Sequence, residues 1–168
     1  MTVTTLAGIA ILAVVTLQRL TELVLANANS RRLLANGGAE HGRGHYPFIV
    51  AVHALWLASL WWLAPGRPIN VLLLGAFALL QLGRLWVINT LGERWTTRII
   101  VLPGERLVRA GPYRYLNHPN YFIVTLEIAI LPLVFGLWRI ALLFSLLNAA
   151  ILWVRIGAEN RALASLRG

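Results

Sequence analysis

Long apolar runs alternate with short polar segments along the chain. A helix needs roughly 20 apolar residues to cross the hydrocarbon core of a bilayer, and five such runs occur, the fourth being shorter than a standard span. They cover residues 3–25, 47–63, 69–91, 121–135 and 140–156. Only the short turn 136–139 separates the last two runs, which predicts a tight helical hairpin. The pattern predicts an all-α, polytopic transmembrane bundle of about five helices, in a single domain over residues 1–168.

Composition supports the same class. Charged residues make up 12% of the chain, against about a quarter in a typical soluble domain, so there are too few to cover a water-facing surface. There is no cysteine, which excludes disulfides, thiolate metal sites and cysteine nucleophiles. His53, on an apolar run, is interpreted as a hydrogen-bonded structural histidine, and no metal site is predicted. Residues 36–44, rich in glycine, predict a flexible turn region.

The basic residues predict the orientation. The formal net charge is +9 and all fifteen basic residues are arginine, but they lie in gaps between apolar runs, so nucleic acid is not an expected partner. Cytoplasmic loops collect positive charge, which predicts a membrane protein with its N-terminus outside and its C-terminus in the cytoplasm. The arginines on the predicted cytoplasmic side are Arg31, Arg32, Arg43, Arg94, Arg98, Arg106, Arg109, Arg114, Arg161 and Arg167. The tryptophans mostly fall near predicted span ends, as interface anchors would. They are Trp56, Trp61, Trp62, Trp86, Trp95, Trp138 and Trp153.

The segment between the third and fourth helices, here called loop three (residues 92–120), is long and polar. Its Pro/Gly pairs predict turns, and the apolar residues 99–102 predict a strand or a buried reentrant piece. Pro119 suits the first turn of a helix, which places His118 at or near the N-cap, where free backbone N–H groups favour an anion. The simpler alternative for loop three is a basic surface that binds anionic lipid.

Ionisable residues in apolar runs are costly and usually functional. Glu127 lies about two turns into the fourth helix, while Arg155 and Glu159 share a face at the end of the fifth. Since these two helices are antiparallel, Arg155 and Glu159 should stand beside His118 and Tyr121. The simpler role for Arg155 and Glu159 is an ion pair at the membrane interface. The candidate structural partners of Glu127 are Arg84, Gln81 and Arg19.

The motif from Gly111 to Tyr121, GPYRYLNHPNY, followed by Arg155-x-x-x-Glu159, resembles the isoprenylcysteine carboxyl methyltransferase family and looks closest to its short bacterial branch. This resemblance implies a location in the inner membrane of a bacterium. The resemblance covers about residues 95–163 and implies a catalytic part over about residues 92–168. It implies S-adenosylmethionine as the cofactor, held between loop three and the last hairpin. The cofactor-binding positions implied by the resemblance are Glu105, Arg106, Leu107, Val108, Tyr113, His118, Pro119, Asn120, Tyr121 and Glu159. Arg155 matches an arginine that faces the acceptor.

The implied reaction methylates an oxygen of a lipophilic acceptor from the bilayer, either a small molecule or a prenylated chain. A carboxylate needs only positioning, whereas a phenol or enol must lose a proton, for which Glu127 or His118 is a candidate base. We expect Arg155 and Glu127 to be the catalytic residues, with Arg155 orienting the acceptor oxygen and Glu127 supporting it. The alternatives are a phospholipid N-methyltransferase, an NADPH-dependent sterol-type membrane reductase, and a non-catalytic membrane scaffold that binds membrane lipids.

Overall fold

The computed structural model describes residues 2–164 and confirms an all-α bundle of five helices there. They are α1 Val3–Ala35, α2 Tyr46–Leu63, α3 Val71–Leu91, α4 Pro119–Val134 and α5 Trp138–Leu163. α1 continues well past its predicted end because tertiary contacts hold its polar continuation. The Asn29 amide donates to the carbonyl oxygens of Gly92 and Trp95, at 3.1 and 2.8 Å. Arg167, counted above among the cytoplasmic arginines, lies outside the described residues.

Within residues 2–164, four helices are long and apolar enough to cross a membrane. They cover Val3–Ala35, Arg43–Leu63, Val71–Arg94 and Trp138–Leu163. The 16 residues of α4 reach about 24 Å at 1.5 Å per residue, which is less than the ~30 Å hydrocarbon core. Large apolar side chains such as Trp62 (87%), Leu72 (83%) and Trp153 (84%) are exposed on the outside of the bundle, as lipid contact requires. The chain is a multi-pass membrane protein.

α4 and α5 form the predicted tight hairpin. Gly136 has a φ of +68°, which glycine adopts without strain, and its N–H donates to the Leu133 carbonyl oxygen at 3.0 Å. The main apolar core packs against this hairpin and includes Leu12, Val15, Trp56, Leu60, Phe77, Leu131 and Phe135. The turn returns the C-terminal end of α5 to the N-terminal end of α4, so the antiparallel arrangement expected from the sequence is confirmed.

A proline inside α4 explains a buried tryptophan. Pro132 has no N–H, so the carbonyl oxygen of Ile128, four residues earlier, loses its helical hydrogen bond. The Trp56 indole N–H donates to that oxygen at 3.2 Å and satisfies it where no water can. Trp56 and Trp95 are each 2% exposed. For these two residues the predicted interfacial belt is wrong, because their rings fill space within the bundle.

A two-stranded sheet covers the loop end of the bundle. β1 (Ala39–His41) pairs antiparallel with β2 (Ile99–Val101), with Glu40 opposite Ile100. Of the two structures predicted for residues 99–102, the strand is confirmed. The prediction of a flexible turn region over residues 36–44 is wrong for β1, because pairing with a strand distant in the chain orders this segment.

Candidate functional site

Four charged side chains form a cluster inside the bundle, between α1, α3 and α4. Arg84 donates through Nε and Nη2 to the two carboxylate oxygens of Glu22, at 2.6 Å each, and through Nη1 to Glu127 at 3.0 Å. Arg19 completes the cluster, with guanidinium nitrogens 3.0 Å from Glu22 and 2.9 Å from Glu127. Two positive and two negative charges make the cluster neutral, which lowers the cost of keeping ions inside a membrane.

Glu127 belongs to this cluster and is only 1% exposed. Its Oε2 contacts Arg19 and Arg84, and its Oε1 accepts a hydrogen bond from Gln81 Nε2 at 2.9 Å. The three candidate partners from the sequence are therefore confirmed. Within residues 2–164, Glu127 and Arg155 share no hydrogen bond or ion pair, although both line one cavity. That Glu127 supports Arg155 in catalysis stays a prediction, and the two side chains are not in direct contact.

The start of α4 and the end of α5 meet as expected. The Tyr121 hydroxyl donates to the Glu159 carboxylate and accepts a hydrogen bond from Arg155 Nε at 2.8 Å. Glu159 lies 3.7 Å from His118 Nδ1, and the rings of His118 and Tyr121 stack with centroids 5.3 Å apart. Arg155 Nη2 donates to the Thr97 carbonyl oxygen at 2.7 Å. The predicted meeting of Arg155 and Glu159 with His118 and Tyr121 is confirmed.

A polar cleft of about 720 Å³ opens at this meeting point, between loop three and the ends of α4 and α5. Nine of the ten predicted cofactor-binding positions line it: Glu105, Arg106, Leu107, Val108, Tyr113, His118, Asn120, Tyr121 and Glu159. The exception is Pro119, which is buried as the first residue of α4, with His118 as the N-cap as predicted. The cleft falls in the size range of small-molecule sites, roughly 300–1,000 Å³. One cavity therefore collects residues that are far apart in the chain.

Contacts within loop three shape one wall of the cleft. Arg94 Nε lies 3.0 Å from the Glu105 carboxylate, and Arg94 Nη1 donates to the Arg106 carbonyl oxygen at 2.9 Å. Tyr113 also belongs to loop three and lines the cleft, where burial and the nearby Glu159 carboxylate raise the pKa of its phenol above the ordinary value. The Tyr113 ring is therefore neutral at physiological pH. An uncharged aromatic face beside a carboxylate is a suitable neighbour for a cation.

A second cavity, of about 330 Å³, lies deeper between the helices and has mostly apolar walls. Its apolar lining includes Leu20, Leu23, Ile49, Val50, Leu57, Val124, Ile128, Ile151 and Leu152. Leu20, Leu23 and Val50 are also exposed on the outside of the bundle, so this part of the cavity borders the lipid. Arg155 and Tyr121 line both the apolar cavity and the polar cleft. Trp95, Thr96 and Asn120 also line both cavities. A polar ligand and a lipophilic ligand would therefore meet beside Arg155, Tyr121 and these three residues.

Sequence reasoning missed three residues near this meeting point. Trp95, read from the sequence as an interface anchor, lines both cavities. Thr97 contributes a backbone carbonyl oxygen, and its hydroxyl lies 3.0 Å from the hydroxyl of Tyr46. His53 donates through Nδ1 to the Ile49 carbonyl oxygen at 2.8 Å, which confirms a hydrogen-bonded histidine, and it also lines the apolar cavity. A contact through a backbone carbonyl does not depend on the residue type, so the sequence gives no sign of it.

Comparison with known proteins gives one family and two relatives. The model of the isoprenylcysteine carboxyl methyltransferase (ICMT) family matches residues 71–165. The chain is 37% identical over 166 residues to the uncharacterized protein YpbQ of Bacillus subtilis, and the match covers 91% of this chain and 94% of YpbQ. It is 26% identical over 158 residues to an uncharacterized protein of Haemophilus influenzae, covering 88% of this chain and 90% of that one. No solved structure matches the chain.

Proposed function

We propose, since the chain belongs to the isoprenylcysteine carboxyl methyltransferase family of membrane methyltransferases, that it transfers a methyl group from S-adenosylmethionine to an oxygen of a lipophilic acceptor. The observation that carries the proposal is the position of Arg155 and Tyr121, which line both the polar cleft and the apolar cavity. A transferase that joins a water-soluble donor to a lipid-soluble acceptor needs such a point, because the two substrates arrive from different phases.

The residues of the cleft fit S-adenosylmethionine. In the first turn of α4, Pro119 has no N–H, and the N–H groups of Tyr121 and Phe122 donate to the His118 carbonyl oxygen. This leaves the Asn120 N–H as the donor for a carboxylate, and the Glu159 carboxylate suits a ribose hydroxyl or an ammonium group. Tyr113 and His118 offer aromatic faces to the adenine ring or the sulfonium, while the stretch from Glu105 to Val108 would close the cleft on the side of loop three. When bound, the cofactor supplies an activated methyl group on a positively charged sulfur.

Arg155 is the residue best placed to bind the acceptor. Its Nε and Nη2 are held by Tyr121 and Thr97, whereas its Nη1 makes no hydrogen bond with any residue in the described part of the chain. A fixed guanidinium with a free N–H binds an oxygen anion strongly, which favours a carboxylate, phenolate or enolate over the amine of a phospholipid. The tail of the acceptor, whether a small lipid or a prenyl chain, would lie in the apolar cavity and reach the bilayer near Leu20 and Val50.

The two kinds of oxygen acceptor make different demands on the site. A carboxylate needs only to be positioned by Arg155. A phenol or enol must also lose a proton, and His118, in the cleft beside Glu159, is then the candidate base. Glu127 is bound on both oxygens, so it could accept a proton only after the ion cluster rearranged.

We also propose that the cleft faces the cytoplasm of a bacterial cell, because the arginines of loop three surround it and cytoplasmic loops collect positive charge. A green fluorescent protein joined to the C-terminus should then fluoresce, whereas alkaline phosphatase at the same position should be inactive. The opposite pair of results would reverse the orientation.

The cofactor is tested by thermal unfolding of the purified protein in detergent with S-adenosylhomocysteine or NADPH. A ligand at about 100 times its Kd stabilises the folded state by about 2.7 kcal/mol, so S-adenosylhomocysteine should raise the unfolding temperature and NADPH should not. Glu159→Gln should weaken the effect. Stabilisation by NADPH alone would favour a reductase, and stabilisation by neither would favour a non-catalytic scaffold.

A further inference from the structure

A series of contacts links Arg155 to the N-terminal part of the chain, outside the residues 71–165 that match the family model. Arg155 Nη2 donates to the Thr97 carbonyl oxygen at 2.7 Å. The Thr97 hydroxyl lies 3.0 Å from the Tyr46 hydroxyl, and Tyr46 is the first residue of α2. Thr97 therefore stands between the two side chains, with its carbonyl group on Arg155 and its hydroxyl on Tyr46.

The Tyr46 ring is held by an ion pair at the small sheet. The guanidinium carbon of Arg98 lies 4.7 Å from the centroid of that ring. Arg98 Nη1 donates to both carboxylate oxygens of Glu40, at 3.0 and 3.3 Å, and the Glu40 side chain is only 4% exposed. Because β1 pairs with β2, Glu40 and Arg98 are brought together by the sheet itself.

We propose that Tyr46 is a positioning residue for methyl transfer, acting on Arg155 through Thr97, and that Glu40 and Arg98 keep the Tyr46 ring in place. The inference rests on the proposed function. Misplacing a reacting group by about 1 Å can lower a rate by about 10²-fold, and an arginine side chain has many rotamers. Tyr121 fixes Arg155 from α4, and the Thr97 carbonyl oxygen fixes it from loop three.

The contacts also connect the two cavities. Arg98 lines the polar cleft, and Tyr46 lines the apolar cavity. Arg155, at the end of the series, lines both. A loss of the Tyr46 hydroxyl should therefore act on the geometry at which the two substrates meet, and much less on the affinity of the cleft for its cofactor.

Tyr46→Phe tests the inference because it removes the hydroxyl and keeps the ring beneath Arg98. Initial rates are measured with labelled S-adenosylmethionine and a total lipid extract of Bacillus subtilis as the acceptor source. We expect kcat to fall about tenfold while the KM for S-adenosylmethionine changes less than about twofold. Tyr115→Phe is the matched control, because Tyr115 is 74% exposed and should keep the wild-type kcat.

Measuring Tyr46→Phe in an Arg155→Lys background distinguishes positioning of Arg155 from a purely structural role of Tyr46. Arg155→Lys removes the contact with Thr97, so adding Tyr46→Phe in that background should lower kcat by less than about twofold. A wild-type kcat for Tyr46→Phe, or an equal loss in both backgrounds, would overturn the inference.

Glu40→Gln decides the question if Tyr46→Phe does not fold. It weakens the pairing of Glu40 with Arg98 and also its pairing with the exposed Arg43, whose Nε lies 3.1 Å from the same carboxylate. Because an exposed ion pair contributes little, the effect through Arg98 should dominate: kcat should fall about threefold, again with little further loss in the Arg155→Lys background. An unchanged kcat would overturn the inference. A wild-type protein that binds S-adenosylhomocysteine but transfers no methyl group would instead refute the proposed function, and this inference with it.

Discussion

Replacing Arg84 tests whether the buried ion cluster acts as one neutral unit that joins α1, α3 and α4. Arg84→Met removes two hydrogen bonds to Glu22 and one to Glu127, and it leaves two carboxylates with Arg19 alone. Removing one partner of a buried ion pair costs about 3–5 kcal/mol. The cost has an upper limit, because one of the two carboxylates can take up a proton instead of remaining charged. Protonating a carboxylate with a reference pKa of about 4.3 at pH 7 costs about 4 kcal/mol, at 1.36 kcal/mol per pH unit. We expect the free energy of unfolding to fall by about 3–4 kcal/mol.

The pH dependence and a second variant sharpen this prediction. If the surplus carboxylate takes up a proton, the folded variant holds one proton more than the unfolded chain, and its stability rises as the pH falls. The deficit should then shrink by about 1.4 kcal/mol per unit between pH 7 and pH 5. Arg84→Met combined with Glu22→Gln leaves a neutral pair, Arg19 and Glu127, and should recover at least about half of the loss.

The assay is reversible unfolding by sodium dodecyl sulfate in mixed micelles, followed by tryptophan fluorescence, because Trp56 and Trp95 are buried. The wild type, the single variant and the double variant are compared at pH 7 and pH 5. A deficit below about 1 kcal/mol, the value of an exposed ion pair, would refute the reasoning. So would a double variant no more stable than the single one at pH 7.

Three further changes probe the site and its supports. Tyr121→Phe removes the hydroxyl that binds both Arg155 and Glu159, so kcat should fall at least about tenfold in the methyl-transfer assay, with the unfolding temperature as the check on folding. Gly111→Ala forces a side chain onto a φ of +53° and puts its Cβ 2.4 Å from the Thr90 hydroxyl oxygen, so thermal unfolding should show a loss of about 1–3 kcal/mol. Trp56→Phe leaves the carbonyl oxygen beside Pro132 without a donor, and the same measurement should show a loss of about 1–3 kcal/mol.

The length of the apolar runs predicted the helices, because a helix that crosses a bilayer needs a long apolar run. The antiparallel hairpin then predicted the meeting of Arg155 and Glu159 with His118 and Tyr121, since a tight turn leaves one way for the two helices to pack. The bidentate pairing of Arg84 with Glu22 was not predicted. It depends on the rotation of α1 against α3, which a run of apolar residues does not specify.

The N-terminal contribution to the site was also beyond prediction. Strands of three residues are too short to show alternation, and the partner of β1 lies far along the chain. The Tyr46 hydroxyl contacts the Thr97 hydroxyl, and the backbone carbonyl oxygen of Thr97 accepts a hydrogen bond from Arg155. Neither contact has a sequence motif. Trp95 has the same sequence context as an interfacial tryptophan, and only packing distinguishes the two.

The central claim is tested most directly by the transfer of labelled methyl groups from S-adenosylmethionine into extractable lipid by the purified protein. We predict labelled lipid with the wild type and a large loss of rate with Arg155→Ala at saturating acceptor. Mild alkali then identifies the acceptor, because it releases the label from a methyl ester as methanol and leaves a methyl ether intact. Label confined to the amine head group of a phospholipid, an unchanged rate for Arg155→Ala, or no labelled lipid at all would contradict the claim.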